Sequence, residues 1–274
     1  MHSSKTASSK LDLLYESLRQ YGTLGVAFSG GVDSTLLLAA ARRVLGSRVV
    51  AFTAQSPIHP SGERDFAKDM ARQLNVQHVL FATDELHDPL FTANGQRRCY
   101  HCKQQLFVEM GRQARSLGIH VLAHGVNLDD LADFRPGLQA AREAGVVAPL
   151  IDAGLSKHEI RILAQALGLP NWDRPAMACL ASRIPYGTPI EAALLSRIDQ
   201  AEAVIRDIGG VQCRVRHHGN VARIEVVGGG LDQLVKTGVR RNIVDAIRAL
   251  GYDHVCLDLE GYVSGKMNRG MIPE

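Results

Sequence analysis

Residues 29–35, Ser29-Gly30-Gly31-Val32-Asp33-Ser34-Thr35, lie where an apolar run, 24–28, gives way to a helical pattern over 36–45. Two adjacent glycines between a strand and a helix constrain the fold strongly. They let the backbone approach an anion closely, and the N–H groups that follow point out of a helix N-terminus whose dipole favours negative charge. Ser29, Ser34 and Thr35 add hydroxyl donors, and Asp33 is placed to orient the loop or to hold Mg²⁺. This is the chemistry of a nucleotide pyrophosphate site. The loop lacks the Gly-Lys-Ser/Thr ending of a Walker loop, and it does not match the G-x-G-x-x-G dinucleotide fingerprint.

Around this loop, short β-like runs at 24–28, 49–53, 76–82 and 120–124 alternate with helical patterns. That alternation predicts an α/β fold, a doubly wound and mostly parallel sheet. Ligands of such sheets bind beyond the carboxyl ends of the strands, so residues 29–35, Thr53 with 54–56, and 125–130 are expected to converge on one crevice. Ser156-Lys157-His158-Glu159 reads as a capping box opening a helix that Gly168 and Pro170 stop. After Pro185 the pattern becomes helix (191–208), strands (212–217 and 222–227), helix (231–250) and strand (254–259). We therefore expect a mobile polar tail over 1–10, a nucleotide-binding domain over 11–184 and a smaller C-terminal α+β domain over 185–274.

With 46% hydrophobic residues in 274, the chain can bury a full core. Lys and Arg number 31 against 28 Asp and Glu, so bulk charge gives no case for a nucleic-acid partner. The sequence shows no apolar run of bilayer length and no cleavable leader pattern, so the expected location is the cytoplasm.

Five cysteines occur, at 99, 102, 179, 213 and 256, and without a secretory signal a disulfide framework is not expected. Cys99-Tyr100-His101-Cys102 is a C-x-x-C pair preceded by Arg97 and Arg98, at the start of a helix expected over 103–117. Helix dipole and cations there favour thiolates, and zinc, a redox dithiol and incidental thiols all remain open. Cys213 and Cys256 fall in strand patterns as small hydrophobes. Cys179 sits in a loop, Pro175-Ala176-Met177-Ala178-Cys179-Leu180-Ala181-Ser182-Arg183-Ile184-Pro185-Tyr186, with an arginine four residues on. A cysteine in that setting reads as a nucleophile, a metal ligand or packing.

The heptapeptide resembles the PP-loop of the ATP pyrophosphatases. Together with Gly125-Val126-Asn127-Leu128-Asp129-Asp130, the Cys179-to-Gly187 loop, Arg214-Val215-Arg216-x-His218 and Ala222-Arg223-Ile224-Glu225, the chain resembles the LarE family over about residues 11–263. These are ATP-dependent sulfur transferases that build the nickel-pincer nucleotide. The resemblance implies a PP-loop ATP pyrophosphatase type of sheet, with ATP and Mg²⁺ held by Ser29, Gly30, Gly31, Asp33, Ser34, Thr35, Thr53, Gly125, Asn127 and Asp130. It implies adenylation of a carboxylate of pyridinium-3,5-biscarboxylic acid mononucleotide, then displacement of AMP by sulfur, with Asp33 and Cys179 catalytic.

In members with one cysteine, the side chain at the Cys179 position gives up its own sulfur. The additional Cys99 and Cys102 resemble the three-cysteine variant, in which Cys99, Cys102 and Cys179 hold a 4Fe-4S cluster with an extra sulfide ligand. Three thiolates leave one iron of the cube without a protein ligand, where such a sulfide can bind. By the same resemblance Arg214 and Arg216, on one strand face, would hold the substrate phosphate, with Ser182, Arg183, Glu202 and Glu225 lining the pocket. The resemblance further implies a homo-oligomer and contact with other proteins of nickel-pincer cofactor biosynthesis.

Three other readings remain. Cys179 alone could be a sacrificial donor. The chain could be a PP-loop amide synthase or tRNA-thiolating enzyme, against which near-neutral charge weighs. It could also be a nucleotide-binding protein whose Cys99, His101, Cys102 and Cys179 close a structural zinc site.

Overall fold

The computed structural model describes residues 2–132, 136–175, 177–227, 230–263 and 265–269. Met1 of the expected tail and Ala176 of the Cys179 loop lie outside the described residues. Two compact units divide the chain, one of residues 1–91 and 97–177, the other of 92–96 and 178–274.

In the first unit the elements run α1 (His2–Arg19), β1 (Leu24–Ala27), α2 (Val32–Leu45), β2 (Val49–Gln55), α3 (Glu63–Gln73), β3 (Gln77–Ala82), α4 (Pro89–Thr92, its last residue in the second unit), α5 (Arg98–Ser116), β4 (Leu122–His124), α6 (Pro136–Glu143), α7 (Pro149–Asp152) and α8 (Lys157–Ala166). The four strands form one parallel sheet in the order β3-β2-β1-β4. β1 is apolar throughout and central, as a strand covered on both faces must be. Leu24, Val26, Leu36, Leu37, Ala41, Ala67, Met70, Ile160 and Leu163 build the core on one face. Phe52, Leu106, Phe107, Met110 and Ala141 build it on the other.

The chain passes from β1 outward to β2 and β3, then returns to place β4 on the opposite side of β1. The β1/β4 junction is thus the switch point of the sheet, the place beyond whose strand ends such sheets bind their ligands.

One expectation is corrected here. Residues 2–10, read as a mobile tail, belong to helix α1. Ala7, Leu14 and Leu18 recur at helical spacing and are buried in the same core as α2 and α8, and Lys10 pairs with Glu159 at 2.6 Å. The serines hid a helix that tertiary packing holds.

The second unit contains α9 (Ala192–Gly209), β5 (Cys213–His218), β6 (Val221–Val226), α10 (Leu231–Val235), α11 (Thr237–Ala249) and β7 (His254–Leu257). β5 and β6 pair antiparallel, β6 and β7 parallel. Alternation along β5 buries Cys213 and Val215 against Ala201 and Ile205 of α9 and Ile243 and Ile247 of α11. The helix expected over 231–250 is two, because Lys236 takes an extended conformation (φ −56°, ψ 132°) between α10 and α11. The main stretch of this unit starts at Ala178 and so takes in Cys179 and the turn after it, which the sequence reading places in the first domain. Residues 92–96 join it through Asn94, whose amide donates to the carbonyls of Pro185 and Thr188, both at 2.8 Å.

Candidate functional site

The glycine loop occupies the turn between β1 and α2. Gly30 takes φ +72°, open to glycine without strain, and a Cβ there would stand 3.0 Å from the Phe66 ring. Gly31 caps α2, and its N–H donates to Ser29 Oγ at 3.3 Å. Ser34 Oγ donates to the Gly31 carbonyl at 3.1 Å and accepts from the Ser29 N–H at 3.3 Å, so the loop is cross-linked by its own serines.

A second clamp comes from far along the chain. The buried Asn171 amide donates to Gly30 O at 2.8 Å and to Thr35 Oγ1 at 2.9 Å. Thr35 is itself fully buried, so its hydroxyl supports the loop from behind and does not line it. Thr53, also buried, donates to Phe28 O at 2.6 Å and lies 2.8 Å from His78 Nε2, which locks the end of β1 to β2.

Across the switch point, the segment after β4 meets α2. A Cβ on Gly125 would stand 2.7 Å from the backbone nitrogen of Ser34, so glycine is required here for close approach of two backbones. Asn127 donates to Asp33 Oδ1 at 3.4 Å, and its own N–H is held by Asp130 Oδ2 at 3.0 Å. Asp33 Oδ2 accepts from Lys157 Nζ at 2.5 Å. Burial raises the Asp33 carboxyl above its usual range, Lys157 opposes that, and the Asp130 charge adds to it. Ser29, Gly30, Gly31, Asp33, Ser34, Gly125, Asn127 and Asp130 therefore form one connected group at the switch point. Residues 54–56 do not join it through Ser56, which donates to the buried Glu85 carboxylate at 2.6 Å.

Cys99 and Cys102 stand in the first turn of α5, which starts at Arg98, five residues before the expected 103. Cys102 Sγ lies 3.9 Å from Glu85 Oε1, within reach of a thiol donor. Arg97 stacks over the Tyr100 ring, its guanidinium 4.7 Å from the ring centre. Among the described residues, no group of three or more His, Cys, Asp or Glu side chains is arranged to hold a metal ion.

In the second unit, Cys179 precedes a single 3₁₀ turn, Leu180–Arg183. The Cys179 carbonyl accepts from Ser182 Oγ at 2.7 Å and from Arg183 Nη1 at 2.9 Å, and Arg183 Nη1 also reaches Ala178 O at 2.6 Å. Arg183 and Glu202, both fully buried, form a two-pronged ion pair, and Glu202 also accepts from the Val215 N–H. These residues are expected to line a phosphate pocket; in this fold they anchor the Cys179 loop to α9 and β5. Arg216 is likewise engaged, donating through Nε and Nη2 to Glu225 at 2.9 and 2.7 Å and through Nη1 to Ser182 O at 2.9 Å. Glu225 also pairs with Arg223, and Arg214 is 2% exposed beside the Tyr262 ring. Arg214, Arg216, Arg223 and Glu225 share one face, since Arg214 stands opposite Glu225 and Arg216 opposite Arg223.

Lys157, Asn171 and Glu85 carry much of this geometry, and sequence reasoning did not assign them to a site. Lys157 and Glu85 have no local motif of their own chemistry; Asn171 follows a helix stop and reads as turn polarity.

A parallel sheet with strand, glycine loop and helix at its switch point defines a PP-loop protein of the ATP-using kind. Comparison with known proteins agrees. The Asparagine synthase family matches residues 12–102. The chain is 44% identical over 263 residues to an uncharacterized Synechocystis protein, covering 94% of this chain and 98% of that one. It is 34% identical over 264 residues to pyridinium-3,5-bisthiocarboxylic acid mononucleotide synthase of Lactiplantibacillus plantarum, covering 96% of this chain and 95% of that one. GMP synthase of Aeropyrum pernix is 28% identical over 199 residues, 66% of this chain and 38% of that protein. The chain belongs to the LarE family. No helix among the described residues is long and apolar enough to cross a membrane.

Proposed function

We propose that this protein is an ATP-dependent sulfur transferase acting on pyridinium-3,5-biscarboxylic acid mononucleotide. The observation that carries this reading is the glycine loop at the β1/β4 junction, its N–H groups presented at the start of α2, in a chain that aligns over 96% of its length with the Lactiplantibacillus synthase. In the reaction, a substrate carboxylate oxygen attacks the α-phosphorus of ATP and pyrophosphate leaves. Convergent N–H donors of the loop stabilise the charge that builds on the departing phosphates. A sulfur nucleophile then adds to the acyl carbon and AMP leaves, giving a thiocarboxylate.

The substrate phosphate is assigned to the Arg214, Arg216 and Arg223 face of β5 and β6. Three guanidiniums stand there against two carboxylates, Glu225 pairing with Arg216 and Arg223 and Asp258 with Arg223, and the net positive charge suits an oxyanion. For the sulfur we propose the three-cysteine route, with Cys99, Cys102 and Cys179 as ligands of a 4Fe-4S cluster. The support is two thiols one helical turn apart at the start of α5, a third in a loop that Arg183 pins by its backbone, and the family resemblance. When bound, the cluster would supply an iron that can carry a transferable sulfide. The second reading is Cys179 as its own sulfur donor, which needs only the one thiol of the loop that Arg183 pins.

The test is turnover by anaerobically purified protein given ATP, Mg²⁺, sulfide and the biscarboxylate nucleotide. Formation of AMP, pyrophosphate and thiocarboxylate supports the activity; no ATP-dependent product overturns it. A brown protein turning over repeatedly with Cys179 intact supports the cluster. A colourless one that stops at one sulfur per chain, with Cys179 converted to dehydroalanine, overturns the cluster and leaves the transferase.

A further inference from the structure

We infer that Lys266 is a positioning residue for the substrate-phosphate site: by taking the Asp258 carboxylate, it leaves Arg223 Nη1 to the phosphate. This rests on the assignment of that phosphate to the Arg214, Arg216 and Arg223 face.

The donors on this face are unevenly committed. Arg216 is buried and spends Nε and Nη2 on Glu225 and Nη1 on the Ser182 carbonyl. Arg223 is 29% exposed and reaches Glu225 Oε1 and Met267 Sδ through Nη2 alone, at 3.1 and 3.8 Å. Among the described residues its buried Nε has no partner, and Nη1 stands 3.6 Å from Asp258 Oδ2, an ion pair longer than a hydrogen bond. Arg223 therefore keeps donors for an oxyanion, and Asp258 is the group that would compete for them.

Asp258 has one oxygen to contest. Its backbone N–H donates to Ile224 O at 2.8 Å, and its Oδ1 accepts the Glu260 N–H at 3.0 Å. Oδ2 lies between two cations, and Lys266 Nζ holds it at 2.6 Å. Lys266 opens the 3₁₀ turn Lys266–Asn268 and is buried there; its Nζ also reaches Glu260 Oε2 at 2.9 Å and Gly261 O at 3.4 Å. Those three contacts match the three N–H groups of an ammonium, so Lys266 acts on the carboxylate and not on a ligand. Coulomb attraction falls with distance, and the closer ammonium takes most of the Asp258 charge. Without it, Arg223 Nη1 would need to close only about 0.7 Å to hydrogen-bond Asp258, and a phosphate would then have to displace a carboxylate.

The test measures binding of pyridinium-3,5-biscarboxylic acid mononucleotide, and of the matching nucleoside without phosphate, by calorimetry on the full chain. K266M weakens nucleotide binding about tenfold, the worth of a charge-assisted hydrogen bond, and leaves the nucleoside unchanged. K266M/D258N, in which no carboxylate competes for Arg223 Nη1, regains most of the affinity. A lysine that only pinned the segment 258–269 would show no such rescue, because the second substitution removes another of its ties. Equal nucleotide affinity in wild type and K266M overturns the inference, as does a loss that D258N does not relieve or one that the nucleoside shares. Should K266M fail to fold, D258N alone carries the test: it binds the nucleotide at least as tightly as wild type, and weaker binding overturns the inference. R223Q separates this inference from the reading beneath it. Weaker binding in R223Q with K266M unaffected removes the role of Lys266 alone, whereas unchanged binding in R223Q removes Arg223 from the phosphate site and the inference with it.

Discussion

Arg183 and Glu202 form a buried two-pronged ion pair, at 2.9 and 3.1 Å, and the same guanidinium holds the carbonyls of Ala178 and Cys179. Both side chains are fully buried, so each charge is compensated chiefly by the other, with these hydrogen bonds and the Val215 N–H on Glu202 adding to it. Removing the carboxylate strands the arginine. Glu202→Ala should lower the unfolding free energy by about 3–5 kcal/mol, read from urea denaturation. It should also speed alkylation of Cys179, followed by mass spectrometry of the peptide, because the loop loses its anchor. An unchanged alkylation rate would show that Arg183 holds the turn without Glu202.

Asn171 bridges the two ends of the glycine loop through Gly30 and Thr35. Asn171→Ala leaves the Gly30 carbonyl and the buried Thr35 hydroxyl without that donor, at a cost of about 1–3 kcal/mol. ATP affinity should fall as well, since the loop N–H groups lose their fixed direction. Thermal unfolding and calorimetry on one preparation check both effects.

Gly125 faces the backbone of Ser34, and this contact cannot yield as a flexible side chain can. Gly125→Ala should cost about 1–3 kcal/mol through overpacking. Gly22→Ala, where nothing lies within 4 Å, should stay within about 0.5 kcal/mol of wild type. Paired urea titrations would decide it, and equal stability of the two variants would contradict the close approach of the β4 loop to α2.

His124, at the end of β4, is held neutral. Burial chiefly, and the Lys103 charge beside it, push its pKa from 6.5 down to about 4. A base with a lowered folded pKa binds its proton more readily when unfolded, so stability is full above pH 6.5 and declines as the pH falls toward 4. The loss attributable to this group is about 3 kcal/mol at 1.36 kcal/mol for each unit. His124→Gln should flatten this part of the stability curve between pH 7 and pH 4.5, measured by urea titration at each pH. An unaltered slope would place the proton uptake elsewhere.

The glycine loop was legible because its requirements are local. Gly30 must reach positive φ, Gly31 must cap a helix, and a strand and a helix must flank them, all within fifteen residues of sequence pattern. The Ser156–Glu159 capping box was legible for the same reason, and both of its hydrogen bonds form. Helix α1 was missed because Ser3, Ser4, Ser8 and Ser9 dilute its apolar stripe, and its fold depends on burial of Ala7, Leu14 and Leu18 against elements not yet formed.

What the sequence by itself determined is the architecture: parallel strands interleaved with helices, and a glycine turn between the first strand and the helix that follows it. The tertiary structure decided which charges neighbour that turn and which are spent elsewhere. Whether an arginine offers its fork to a ligand or spends it on a buried carboxylate depends on tertiary placement: cross-strand register puts Glu225 beside Arg216, and packing of α9 against the 180–183 turn leads Glu202 to Arg183. Lys157 and Asn171 reach the loop from 124 and 141 residues away from their partners Asp33 and Gly30. Their spacing in sequence carries no period, because packing of α8 and the turn after it against α2, and not a local rule of chain geometry, brings them there.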